Sequence, residues 1–296
     1  MKSLCDNTQI DILQEGIPPD EAVFYDAVAA SEVEQLRALS SIAEVGTISS
    51  SVSFATLANI FAARDRGRFP DPKRLWLASA FECAAEYEAF KFLAPIEGKT
   101  VLQLGGKGTE AVRMMLAGAK SANLVSPVKS ELECGHELGR LCGVAIESRV
   151  GLAERIPYAD ESFDVVYSSG SAHHFKTNEA FPEIRRVLKS KGRFAAIEPW
   201  RAPFYKLGIR VFGKREKDVH CRPLDRQRVS TFQRVFRVAE VRQSGTLLRY
   251  PMIAAGQMGL PISVGVAWRL MRADDFICTV LRLRSLGSCV AILAER

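Results

Sequence analysis

The sequence has 296 residues, of which 47% are hydrophobic and 25% are charged. This is the composition of an ordinary globular protein, and it excludes a disordered, collagen-like or coiled-coil chain. The length predicts one large domain, alone or with an appendage. The 40 lysines and arginines exceed the 34 acids by a net charge of +6, too small an excess to make nucleic acid the expected partner.

The seven cysteines are odd in number and irregular in spacing, which argues against a disulfide framework. Residues 1–7 contain no apolar core of the kind that a secretory signal has, so we expect a cytoplasmic protein. The cysteines and histidines, His220 and Cys221 included, match no compact zinc pattern, so we expect no metal.

Residues 1–97 are predicted to form a mostly helical extension that covers the pocket of the following domain. Apolar residues recur at helical spacing over 20–39. The same pattern continues over 51–63 and 72–93.

From residue 98 to the end, short apolar strands alternate with helices, apart from two late insertions. Strands are predicted at 100–104, 122–125, 144–150, 163–167 and 192–197. Helices are predicted between them at 109–117, 131–141 and 178–188. This order is typical of a doubly wound α/β sheet with parallel strands and right-handed crossovers. Two more strands are predicted at 237–243 and 288–293.

The insertions, residues 201–234 and 245–275, are expected beside the ligand crevice of the open sheet. Residues 201–222 carry seven basic residues against two acids, which suits a solvated face or an anionic partner. Residues 250–268 carry no charge, but prolines, glycines and Gln257 interrupt them. We expect a buried or lid-like segment there, with a peripheral membrane contact or a membrane span as alternatives. Together the two features suggest an apolar or lipid-like acceptor.

The turn after the first predicted strand reads Gly105-Gly106-Lys107-Gly108. Glycines allow the backbone to approach a ligand closely, and the following helix offers unpaired N–H groups. A tight turn without a ligand is the simpler alternative. A dinucleotide site is another, because residues 106–111 also fit G-x-G-x-x-A.

Residues 151–175, GLAERIPYADESFDVVYSSGSAHHF, are an acidic loop and a strand that ends in small polar residues and two histidines. With the glycine turn, this stretch resembles the class I S-adenosylmethionine-dependent methyltransferases, in their small-molecule, methyltransferase-11-like branch. The resemblance runs from Lys99 to Trp200. It implies a Rossmann-like, seven-stranded, mostly parallel sheet. It also implies methyl transfer from S-adenosylmethionine to a small or medium organic acceptor.

Three carboxylates of the family's pattern are uncharged here: Gln103 precedes the turn, Leu124 or Ser126 closes the second strand, and Leu152 stands at the adenine position. Glu110 and Glu154 are expected to replace part of their role. Lys107 would be unfavourable beside a sulfonium cation, so we expect it to face the methionine carboxylate or solvent. A methyltransferase fold that does not methylate, acting as a cyclase, an isomerase or a binding or regulatory subunit, is therefore an alternative.

The resemblance implies a set of residues for the cofactor and a set for the acceptor. His173 and His174 are candidate general bases, since the pKa of histidine lies near neutrality, or they cap the next helix or pack on the loop. Glu198 is predicted to orient the acceptor or take a proton, or else to pair with Arg201. The cofactor cradle would consist of Gln103, Gly105, Gly106, Gly108, Ser126, Leu152, Ala153 and Ser168.

Overall fold

The computed structural model describes residues 19–44, 83–203, 223–258, 260 and 263–296. The predicted helix over 51–63 and the first part of the one over 72–93 lie outside these ranges. So do most of the basic stretch 201–222, His220 and Cys221.

The strands are, in chain order, β1 (Thr100–Leu104), β2 (Ser121–Ser126), β3 (Glu147–Val150), β4 (Phe163–Ser169), β5 (Leu188–Pro199), β6 (Val238–Ser244) and β7 (Cys289–Glu295). They form one seven-stranded sheet in the order β3-β2-β1-β4-β5-β7-β6. The first five strands pair in parallel, and β7 runs antiparallel to β5 and β6. The predicted doubly wound, mostly parallel sheet is confirmed. The strand order reverses between β1 and β4, which is where open sheets of this kind bind ligands.

The helices are α1 (Pro19–Arg37), α2 (Cys83–Leu93), α3 (Thr109–Leu116), α4 (Lys129–Cys142), α5 (Thr177–Val187), α6 (Arg226–Val235), α7 (Arg249–Gln257) and α8 (Val264–Val280). One apolar cluster joins the sheet to α1, α2, α3 and α4, and a second joins it to α5 and α6. Because helices cover both faces, the central strands β1 and β4 are buried along most of their length.

Residues 245–275, predicted as an insertion beside the crevice, form α7 and most of α8 instead. Met252 and Met271 are buried with Trp268, whose ring lies 4.8 Å from that of Tyr87 on α2. Pro251 is tolerated because it falls in the first turn of α7, where a helix needs no N–H donor. The described part of this segment therefore packs on α2. None of the described helices combines the length and the hydropathy that a membrane span requires.

Two predicted strand boundaries were wrong for local reasons. The third strand begins at Glu147 and not at residue 144, because Gly143 ends α4 in the left-handed conformation and a short connection follows. The fifth strand begins at Leu188 and not at residue 192. Its register with β4 shifts between Phe163 and Val165, and Lys191 adopts a positive φ of 63°. Bulges of this kind interrupt the alternation that marks a strand in sequence.

Candidate functional site

The turn between β1 and α3 requires glycine at two positions. Gly108 has a φ of 77°, and a Cβ there would lie 2.7 Å from the Cα of Gly135 on α4. Gly105 has a φ of 73°, and its Cβ would lie 2.4 Å from Oγ of Ser171. Both positions combine a left-handed backbone with close packing, which only glycine accommodates. The first strand, the start of α3 and the start of the loop after β4 are thereby held together around the turn.

Gln103, predicted in the cofactor cradle, stabilises this turn from within the protein. Its side chain is 3% exposed. Nε2 donates to the carbonyl of Gly105 at 2.9 Å, and Oε1 accepts the N–H of Ala111 at 2.8 Å. A neutral amide can do both, whereas an ionised carboxylate can only accept. Gln103 therefore shapes the turn and is not among the residues that line the cavity described next.

A cavity of about 480 Å³ opens at the carboxyl ends of β1, β2 and β4. This volume is within the range of pockets that hold small molecules and cofactors. One face of α1 forms part of its wall through Phe24, Tyr25 and Val28. Of the residues predicted for the site, the cavity is lined by Gly105, Gly106, Ser126, Leu152, Ala153 and His174. The lining does not include Gln103, Gly108, Ser168, His173 or Glu198.

A buried carboxylate that the sequence analysis did not single out also lines this cavity. Glu131 lies in the first turn of α4 and is 8% exposed. It accepts a hydrogen bond from Oγ of Ser126 at 2.6 Å. Burial raises the pKa of this carboxyl, partly offset by the Ser126 hydrogen bond and the positive charge of Lys107. An acid is therefore present at the end of β2 although the strand itself ends in serine.

The two acids expected to compensate for the missing carboxylates, Glu110 and Glu154, line the cavity as well. Oε1 of Glu110 lies 3.5 Å from the buried guanidinium of Arg113. Oε1 of Glu154 accepts the N–H of Lys176 at 2.6 Å, and burial raises the pKa of Glu154. Both carboxylates are therefore engaged by neighbouring groups at the cavity wall.

Lys107 is paired with a carboxylate from the N-terminal extension, an outcome that differs from both orientations expected of it. Its Nζ lies 2.6 Å from Oε2 of Glu32 on α1. The two side chains are 27% and 18% exposed, respectively. Lys107 borders the cavity without filling it.

Glu198 organises the loop that follows β4. Its Oε1 accepts the N–H groups of Ser171 at 3.0 Å and Ala172 at 2.7 Å. Its Oε2 lies 2.8 Å from Nδ1 of His173, and Ala172, His173 and Glu198 are buried. The alternative pair with Arg201 is wrong, since that arginine lies 3.5 Å from Asp225. His173 and Glu198 thus set the shape of the loop at the cavity edge.

His174 borders the cavity, and α1 supplies its carboxylate neighbour. Nδ1 of His174 lies 3.1 Å from Oε2 of Glu21, which is completely buried. The ring of Tyr25 stands edge-on to the imidazole, with centroids 5.9 Å apart. A carboxylate at Nδ1 fixes the tautomer of a histidine and orients its ring. This arrangement suits a general base. The sequence held no signal for Glu21, because it lies far from His174 along the chain.

Comparisons with known proteins found similarity to methyltransferases. Residues 102–196 match the family model described as a methyltransferase domain. The ubiquinone/menaquinone biosynthesis C-methyltransferase UbiE of Rubrivivax gelatinosus is 32% identical over 40% of this chain and 48% of its own length. The uncharacterized methyltransferase YcgJ of Bacillus subtilis is 34% identical over 25% of this chain and 30% of its own. The chain therefore spans less than half the length of these two relatives.

A solved structure supports the same fold. Geranyl diphosphate methyltransferase in complex with SAM has a TM-score of 0.51 with this chain at 17% sequence identity. The similarity covers 75% of this chain and 87% of that one. At this identity the likeness concerns the fold.

Proposed function

Since residues 102–196 match the family model described as a methyltransferase domain, we propose that the chain binds S-adenosylmethionine in the cavity and transfers its methyl group to a small or medium organic acceptor. The observation that carries this proposal is Glu131, a buried carboxylate inside a glycine-lined cavity at the reversal of strand order. It supports cofactor binding because the end of β2 is where nucleotide-binding sheets of this type place the acid that holds ribose hydroxyls.

The residues around the cavity match the parts of such a cofactor. Gly105 and Gly106 line the cavity, where a ligand could contact their backbone atoms closely. Glu131 would accept hydrogen bonds from the ribose hydroxyls. Leu152 and Ala153 supply an apolar wall suited to the adenine ring. The bound cofactor would supply the activated methyl group.

His174 is proposed as the base that takes a proton from the acceptor, with Glu21 as its positioning residue. General bases accelerate such steps by about 10²–10⁴-fold. Phe24, Tyr25 and Phe175 form an apolar boundary near His174 that would exclude water. We therefore propose an apolar acceptor that carries an acidic hydroxyl or an activated carbon. The name of the Rubrivivax relative, a C-methyltransferase of quinone biosynthesis, agrees with this class.

Calorimetric titration of the purified protein with S-adenosylmethionine and S-adenosylhomocysteine tests the cofactor. Micromolar dissociation constants are expected for both. No heat at millimolar ligand would instead favour the alternative, a methyltransferase fold that does not methylate. Transfer of a radiolabelled methyl group to a panel of alkylated phenols and quinols then tests the acceptor class. A panel of amines and carboxylic acids serves as the comparison.

A further inference from the structure

A positively charged side chain lies at the wall of the cavity in which we propose that a cationic cofactor binds. Lys107 belongs to the glycine turn and borders the cavity. The sulfonium of S-adenosylmethionine is positive, whereas the thioether of S-adenosylhomocysteine is neutral. A free lysine would repel the first ligand and leave the second almost unaffected. The surroundings of Lys107 therefore bear on which of the two ligands the site prefers.

Glu32 faces this lysine from a helix that other contacts hold in place. The two charged groups are 2.6 Å apart, and both side chains are largely withdrawn from solvent. On the same helix, Asp26 accepts a hydrogen bond from Oγ of Ser130 at 2.7 Å. Arg37 lies 3.0 Å from Glu133. The position of Glu32 opposite Lys107 thus follows from the docking of α1 along α4.

A second carboxylate would compete for the lysine if Glu32 were absent. Lys107 also attracts Glu131, whose carboxylate lines the cavity. Without Glu32, the charge of Lys107 would still act on Glu131, the group that we propose for the ribose. The lysine would then be drawn toward the ligand.

We infer that Glu32 neutralises Lys107 at the cavity wall and thereby sets the preference of the site for the cationic methyl donor over its neutral product. The inference rests on the proposed function, because it requires that both ligands bind. The two ligands share every group except the methyl and its charge. The ratio of their dissociation constants therefore isolates the electrostatic effect from the general strength of binding.

The test is calorimetry with both ligands on the wild type, Glu32→Gln, Lys107→Met and the double variant. Glu32→Gln should raise the ratio of the donor's dissociation constant to the product's by about three- to tenfold at low salt, as expected for charges several ångströms apart in a partly exposed site. Lys107→Met should lower the ratio below that of the wild type. The double variant should return the ratio to near the wild-type value, although the ion pair is still missing. Arg37→Gln, which removes an ion pair from the same helix, should leave it unchanged.

Other outcomes overturn the inference in distinguishable ways. If Glu32→Gln weakens both ligands equally, the pair serves only to dock α1, and the inference is wrong. If Glu32→Gln does not fold, Lys107→Met still tests the sign of the effect. An unchanged ratio of dissociation constants in Lys107→Met would also overturn the inference. If the wild type binds neither ligand, the proposed function fails and this inference fails with it.

Discussion

Replacing Glu131 by glutamine should weaken cofactor binding. The same substitution should increase the stability of the ligand-free protein. The substitution keeps the side chain's size and an oxygen that can accept from Ser126, but it removes the negative charge. A hydrogen bond to a charged group contributes about 1.5–3 kcal/mol. The ribose offers two hydroxyl donors, and the glutamine oxygen can still accept a hydrogen bond from one of them. We expect a loss of about 2–3 kcal/mol, or about 30- to 150-fold in the dissociation constant of S-adenosylhomocysteine.

The opposite effect on stability follows from the raised pKa of Glu131. Burial holds the pKa of this carboxyl above its ordinary value of 4.5, so the folded protein keeps its proton at a pH where the unfolded chain has lost it. Stability contributed by this group therefore falls as the pH rises from 4.5 through the raised pKa, and the full penalty remains above that point. Glutamine does not titrate. The melting temperature of Glu131→Gln minus that of the wild type should therefore increase with pH across this interval.

Calorimetry with S-adenosylhomocysteine and thermal melts of the ligand-free protein measure the two effects. Glu133→Gln is the matched control, because it changes an exposed glutamate on the same helix. It should leave affinity near the wild-type value. The reasoning is refuted if Glu131→Gln binds the ligand within threefold of the wild type. It is refuted as well if the difference in melting temperature does not depend on pH.

Two further variants test the turn and the proposed base. Gly108→Ala should lower the free energy of unfolding by about 2–5 kcal/mol in urea denaturation, because it adds a backbone clash to left-handed strain. Gly143→Ala has similar strain but open space around its Cβ, so it should lose only about 1–2 kcal/mol, and equal losses would contradict the packing argument. Glu21→Gln should reduce the rate of labelled methyl transfer about 10- to 100-fold at saturating cofactor, through His174, without changing the affinity for S-adenosylhomocysteine. A wild-type rate at every pH would exclude that role.

The fold could be predicted because its signals are local. The β1 and β4 strands lie between two layers of helices, so they appear in the sequence as short apolar runs. The helices between them show a regular apolar spacing. The errors arose where backbone geometry overrides composition, as at Gly143, whose left-handed conformation delays β3. The packing of α7 and α8 on α2 was also missed, because it depends on contacts with a distant helix.

The residues of the candidate site likewise fall into those that local sequence could predict and those that it could not. Gly105, Gly106, Leu152 and Ala153 could be predicted because each follows directly on a strand or its loop, and they do line the cavity. Glu21 and Glu32 could not, since only the docking of α1 brings them to His174 and Lys107. Their roles depend on tertiary packing that no spacing in the sequence encodes.

Glu131 was missed for a subtler reason. The resemblance places the acid at the end of β2, where this chain has Leu124 or, in a shifted register, Ser126. However, side chains in a helix lean toward its amino terminus, so a glutamate in the first turn of α4 can reach back to the strand end. The hydrogen bond of 2.6 Å between Ser126 and Glu131 is that contact. An acid in a first helical turn is common for its effect on the helix dipole, and the sequence alone did not distinguish the two uses.

We therefore propose that the site binds its cofactor although three expected carboxylates are absent. At position 103 the amide makes two backbone hydrogen bonds, one of which a carboxylate could not donate. The end of β2 has no carboxylate of its own, and Glu131 on α4 supplies one there. Leu152 is part of an apolar wall of the cavity. Negative charge also reaches the site region from α1, through Glu21 and Glu32. If these side chains act as proposed, removal of α1 should weaken cofactor binding and methyl transfer. The loss should be larger than that from opening the cavity alone, because the carboxylate partners of His174 and Lys107 are removed as well.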